Sequence, residues 1–146
     1  MDKNPPIEKI HEAYSAIADR RVDVMGNSAT VKSSNGEKEY EVRWDKNVYS
    51  STDSATFWQH YPGYPVIAVL MLQGRLPLDK KIAEHFADVN WTELNNRHKR
   101  NYAASAAEVM EMIKKAGGDI KMINTEIASV YEKLCALDIK IKRGKL

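Results

Sequence analysis

Between Asp53 and Tyr64 the chain carries its densest set of side chains suited to binding or transforming a small molecule. A histidine within reach of a carboxylate can act as a general base with its orienting partner. His60 and Asp53, with Tyr61 as a hydroxyl donor, are therefore the candidate catalytic residues. Trp58, Tyr61 and Tyr64 combine large apolar faces with polar edges, as ligand walls do, and are the candidate ligand-binding residues. A competing reading treats the same aromatics as a packing corner, because a loop without regular alternation often closes against a sheet this way.

A second cluster, Asn95-Asn96-Arg97-His98-Lys99-Arg100-Asn101, is the one dense basic stretch. Arg97, Lys99 and Arg100 are suited to phosphates, and the asparagines to base edges. Lys140, Lys142, Arg143 and Lys145 add charge near the C-terminus. If two antiparallel helices bring these ends together, Arg97, Lys99, Arg100, Lys142 and Arg143 form a nucleic-acid-binding surface. The competing reading is a solvated helix surface.

Other chemistries find little support. The glycines match neither the dinucleotide spacing nor the lysine-containing phosphate loop. The histidines at 11, 60, 85 and 98 never fall within four residues of each other, so no metal site is expected. No serine stands in a Gly-x-Ser-x-Gly elbow. Cys135 is the sole cysteine, which excludes an intramolecular disulfide, and its place beside an apolar stripe suits a structural thiol. No cofactor is implied, and whether the protein is an enzyme stays open.

The elements that must position these residues are set by length and pattern. The chain has 146 residues and a net charge of +2, enough length for a real core and no global reason to expect a polyanion partner. Neither a membrane span nor a secretory leader is visible, so a soluble cytoplasmic protein is expected.

Pro5-Pro6 opens a helix whose stripe is Ile7, Ile10, Tyr14 and Ile17, with Glu8, Glu12, Ser15 and Asp19 facing elsewhere. Val22–Met25, a strand around Thr30–Lys32, and Lys38–Trp44 then read as strands. A turn at Gly26-Asn27-Ser28 and a tight Asn35-Gly36 hairpin separate them. Tyr40, Val42 and Trp44 share one face, and Val48-Tyr49 adds a short edge strand. Pro65–Leu72, a run without a polar face, reads as a strand buried on both sides.

Downstream, Pro77 opens a short helix. Asn90 with Glu93 makes a capping box for a long helix over 91–116, and Gly117-Gly118 ends it. Asp119 caps a second long helix, whose stripe of Ile120, Ile123, Ile127, Val130, Leu134, Leu137 and Ile141 keeps heptad spacing. Length and phase favour a helix to 142. The rival reading ends it at Leu137 and makes Ile139–Ile141 an edge strand.

The expected fold class is thus α+β: a small antiparallel or mixed sheet with covering helices, followed by a long antiparallel helical hairpin. Residues 1–88 form the α+β body around the 65–72 strand and 89–146 the hairpin, either as two units or as one domain. The heptad stripe makes an interaction or oligomerisation module, pairing with itself as a homodimer or with another protein, the leading function. Nucleic-acid binding at the open end of the hairpin and a small-molecule pocket at 53–64 are the alternatives.

Overall fold

The fold is that of a computed structural model, which describes residue 1 and residues 3–144; Lys145 of the basic tail lies outside them. It is a mixed five-stranded sheet with flanking helices, followed by an antiparallel helical hairpin. Helix α1 (Glu8–Ala18) leads into strands β1 (Val22–Met25), β2 (Ser28–Lys32), β3 (Glu39–Asp45) and β4 (Val48–Ser51). Helices α2 (Ser54–Gln59), α3 (Tyr64–Leu72), α4 (Lys80–Glu84), α5 (Trp91–Arg97), α6 (Tyr102–Lys115) and α7 (Ile120–Ala136) follow, and β5 (Lys140–Ile141) closes the chain. Sheet order is β1-β2-β3-β4-β5, antiparallel up to β4, with β5 parallel to β4.

The expected buried strand at 65–72 is a helix. Uniform apolarity carries no period, so it suits a strand covered on two faces and a helix covered all round equally well. The ends decide. Pro65 sits in the first turn, where its missing amide is harmless, and Gly74 takes φ +77° just beyond the last turn. Helix α3 packs against α1 and against β1, β3 and β4, and residues 65–71 are all buried.

Covering α3 buries α1 more completely than its stripe foretold. Lys9, His11, Glu12 and Ser15 are buried together with Ile10 and Tyr14, so Glu12 and Ser15 of the face expected to look elsewhere are inside, while Glu8 and Asp19 are half-buried. Ser15 shows how such a residue is accommodated: its hydroxyl donates to Phe86 O at 2.6 Å and accepts from the Trp91 indole at 2.7 Å. His11 has Phe86 edge-on at 5.5 Å between ring centroids, and its ring is close to the Ile7 and Glu8 carbonyls of the preceding turn. Burial pushes its pKa down to about 4.

Three further expectations change. The Asn35-Gly36 turn is wider than a two-residue hairpin: Lys32 pairs with Glu39, and Asn35 Oδ1 accepts from Ser33 Oγ and Glu37 N inside the loop. The helix expected over 91–116 is broken between α5 and α6, where Lys99 and Arg100 take φ +55° and +65° and Asn101 caps α6 through Ala104 N. The helix expected to run to 142 ends at Ala136, with Leu137 extended. The unpaired edge of β4 takes up the alternating segment after it: Lys140 N donates to Asn47 O and Lys142 N to Tyr49 O, both at 2.8 Å. β4 is therefore interior. Ile139 fills the core beneath β5, and Ile123, Ile127, Val130 and Leu134 of the heptad stripe are buried within the chain itself.

Two outcomes check this arrangement. Leu70 is fully buried and Leu72 is 42% exposed, although in a strand they would share a face. Leu70→Ala is expected to lower the unfolding free energy by about 2–5 kcal/mol and Leu72→Ala by less than about 1 kcal/mol in urea titrations; similar losses would contradict the helix. For His11, the unfolded chain takes up a proton below its ordinary value of 6.5 while the folded chain resists until about 4. Its contribution is complete above pH 6.5 and is lost as pH falls toward 4, a change on the order of 3 kcal/mol. Urea titrations across this range should show that slope, and His11→Leu should flatten it.

Candidate ligand-binding cleft

Asp53 begins the site. It is buried as the N-cap of α2, accepting from Thr56 N at 3.1 Å and from the hydroxyls of Thr56 and Ser51. The Thr56 hydroxyl also accepts from Gly63 N at 2.9 Å, and a Cβ at residue 63 would collide with the Asp53 carboxylate. This knot of short-range bonds fixes α2 against the start of α3 and leaves the Asp53 oxygens occupied. His60 lies at the other end of α2, exposed in a left-handed C-cap at φ +59°. The two are not hydrogen-bonded, and the expected base-and-carboxylate pair is not assembled.

Beside α2 opens a cleft of about 740 Å³, within the usual size of small-molecule sites. Of the residues singled out from the sequence, Asp53, Trp58, Tyr61, Tyr64, Asn95, Asn96 and Arg100 line it; His60, Arg97, Lys99, Lys142 and Arg143 do not. Trp58 is 65% exposed at the rim. Arg143, beyond β5, crosses to α2, where its Nε donates to Phe57 O at 2.9 Å and its guanidinium stands 5.4 Å from the Phe57 and Trp58 rings.

The wall opposite α2 comes from elements far from it in sequence. α1 supplies Lys9 and Glu12, the link between α1 and β1 supplies Arg21, and β3 supplies Tyr40. α5 supplies Trp91, Thr92, Asn95 and Asn96, while the elbow and α6 supply Arg100 and Tyr102. Lys9 and Glu12 form a buried ion pair at 3.1 Å, with side chains only 8% and 7% exposed. Asn95 Nδ2 donates to the other Glu12 oxygen at 3.1 Å, and Lys9 stands over the Tyr102 ring at 4.1 Å. One turn of separation on a helix was the signal for Lys9 and Glu12. It went unread because charged residues on a surface helix show the same spacing.

The electrostatics follow from burial. Desolvation works to lower the Lys9 ammonium, but Glu12 and Tyr102 outweigh it and hold it above the ordinary lysine range. Burial raises the Tyr40 and Tyr61 phenols, and raises Tyr64 far more despite the Arg21 guanidinium beside it. At neutral pH these phenols are protonated hydrogen-bond donors. Arg21 Nη1 donates to Lys32 O at 2.6 Å, its Nε is 3.7 Å from Asp19, and its guanidinium also hydrogen-bonds the Tyr64 side chain. Asn95 Oδ1 lacks a hydrogen bond, and Glu12 Oε2 has only the ion-pair contact to Lys9. A buried polar atom left without a partner costs about 1–3 kcal/mol, so Asn95 Oδ1 beside the cleft needs a reason.

The basic stretch is divided by the elbow. Arg97 pairs with Glu108 through both nitrogens, at 2.9 and 2.7 Å, and His98 Nε2 reaches the same carboxylate at 3.0 Å. These bonds hold α5 and α6 at their angle. α7 ends at Ala136 and the 91–116 helix is broken, so the two basic clusters are not carried on the ends of two continuous helices. Among the described residues no group of three or more His, Cys, Asp or Glu side chains is placed to hold a metal ion, and no helix is long and apolar enough to cross a membrane.

Residues 2–140 match the family described as Uncharacterised conserved protein UCP014422, and the chain belongs to that family. No curated protein matches it, and no solved structure does.

Hydrogen bonds from Arg97 and His98 hold the Glu108 carboxyl below its ordinary value of 4.5. The clamp is therefore intact above that value and is lost as pH falls through the lowered one. Glu108→Gln should speed amide exchange at Lys99, Arg100 and Asn101 at neutral pH while leaving the melting temperature nearly unchanged. Unchanged exchange at the elbow would show that the clamp does not hold it.

Proposed function

We propose that this protein binds a small molecule in the cleft between α1, β3, α2 and the α5–α6 elbow. The observation that carries this reading is a cavity of about 740 Å³ walled by tyrosines and tryptophans, with the buried Asn95 Oδ1 left without a hydrogen bond beside it. Such an atom is costly for folding and useful to a ligand whose arrival lets it repack and pair. The strained left-handed pair Lys99-Arg100 at the cleft's edge is of the kind that collects at binding sites.

A second reading is a protein contact through the outward faces of α6 and α7, where Met112 and Met122 are 58% and 51% exposed. The buried heptad stripe is no longer available to it, so any self-association would use these outer faces. Sedimentation velocity separates the two: a monomer at tens of micromolar leaves the homodimer without support and does not touch the cleft reading.

The direct test is a screen of small aromatic fragments by ¹H–¹⁵N correlation spectra. Shifts should gather at the Trp91 indole, the Asn95 side-chain amide and Tyr102. Ala55→Trp, which places a bulky side chain in the cleft from α2, should abolish them with the rest of the spectrum preserved. Shifts scattered over the surface, or unaffected by Ala55→Trp, would overturn the reading.

A further inference from the structure

We propose that the cleft's ligand is a small organic anion, a molecule with a ring or apolar body and a carboxylate or phosphate group met by Arg21 and Arg100. This rests on the cleft being a binding site and adds the class of its occupant. The argument is a charge count with hydrogen bonds attached. Both carboxylates of the lining are already answered. Glu12 is paired with Lys9 and bonded by Asn95, and Asp53 is bonded by Ser51 and Thr56 as a helix cap. The two arginines are not answered in the same way. Arg100 has no ion pair among the described residues, and the carboxylate nearest Arg21 is Asp19 at 3.7 Å, its other contacts being the neutral Lys32 carbonyl and Tyr64 hydroxyl.

The backbone supports the same conclusion. Arg100 reaches the cleft because the chain leaves the helical path at two successive left-handed residues, held by Arg100 N donating to Asn95 O at 2.7 Å. Beyond the cations, the protonated phenols of Tyr40, Tyr61 and Tyr64 give a wall of donors. Donors and guanidinium groups together suit carboxylate or phosphate oxygens, which accept several hydrogen bonds at once.

The test uses matched pairs on the full chain: benzoate with benzamide, and phenyl phosphate with phenol, plus benzylamine as the opposite charge. Binding is read from the Trp91 indole and Asn95 amide shifts, so only occupancy of the cleft is scored. At least one anion should bind about tenfold more tightly than its neutral partner, the gain expected from one charge-assisted hydrogen bond. That advantage should shrink as salt is raised. Which of benzoate and phenyl phosphate has the larger advantage tells a carboxylate site from a phosphate site. Arg100→Gln changes an exposed residue, so the fold should survive, and it should remove most of the preference. Arg21→Lys, which keeps the charge and loses the fork, should weaken the anion and leave the neutral partner unchanged. Equal binding of anion and neutral partner, or preference for benzylamine, would overturn the anion assignment and leave the cleft reading standing. Absence of any shift at Trp91 and Asn95 from every probe would overturn both.

Discussion

The rest of the fold follows from one constraint: the segment from Pro65 to Met71 has no polar face and no exposed residue. As a helix it needs apolar neighbours all round. The sheet covers it on the side of β1, β3 and β4, and α1 covers it on another. α1 then meets α4, α6 and α7 on its remaining faces, so a helix patterned for half-burial ends up enclosed. Its polar residues persist there only with partners or without charge. Ser15 ties Trp91 to Phe86, Lys9 pairs with Glu12, and His11 is held neutral by desolvation. Lys9 and Glu12 lie where the cover on α1 is incomplete, between α2 and the elbow, and there the cleft begins.

Much of this was legible from residue pattern and some of it was not, for physical reasons. Alternation in Lys38–Trp44 found β3 and its dry face. Asp119 and the spacing from Ile120 to Leu134 found α7, and Gly117-Gly118 found the hairpin's turn. Those signals are periodic, and a period survives without knowledge of the partner. The Pro65–Leu72 run has none, and the decisive marks were end effects, a proline in the first turn and a glycine past the last. At Lys99-Arg100 the break depends on Asn101 capping a new helix and on Glu108, many residues later, gripping Arg97 and His98. Ile139–Ile141 could extend a heptad or an alternation. The free edge of β4 settled it, and that edge exists only in the folded sheet.

The cleft shows the same division. Asp53, Trp58, Tyr61 and Tyr64 were visible as an aromatic stretch because they are close in sequence, and Arg100 was visible as part of a basic one. The other wall is assembled from α1, β3, α5 and α6, whose contributions sit far apart in the chain within unremarkable local patterns. Tyr40 reads as a strand residue, Lys9 and Glu12 as a solvated helix face, and Asn95 as part of a charged stretch. Only tertiary contact turns them into one surface. His60 made the opposite error: it is near Asp53 in sequence, yet α2 carries it to the far end of the helix and out to solvent.

The central claim is that the polar floor of the cleft serves an occupant and not the fold. The Lys9–Glu12 pair tests this most directly, because a buried ion pair often contributes little net stability while breaking it by removal of one partner is severe. Urea unfolding of Lys9→Met, Glu12→Gln and the double variant separates the two roles, since the side-chain carbonyl left by Glu12→Gln can still accept from Asn95. The account expects each single variant to lose about 3–5 kcal/mol, and the neutral double variant to return to within about 1 kcal/mol of the parent. A double variant as unstable as the singles would make the pair a structural strut, and the floor of the cleft would need no ligand to explain it.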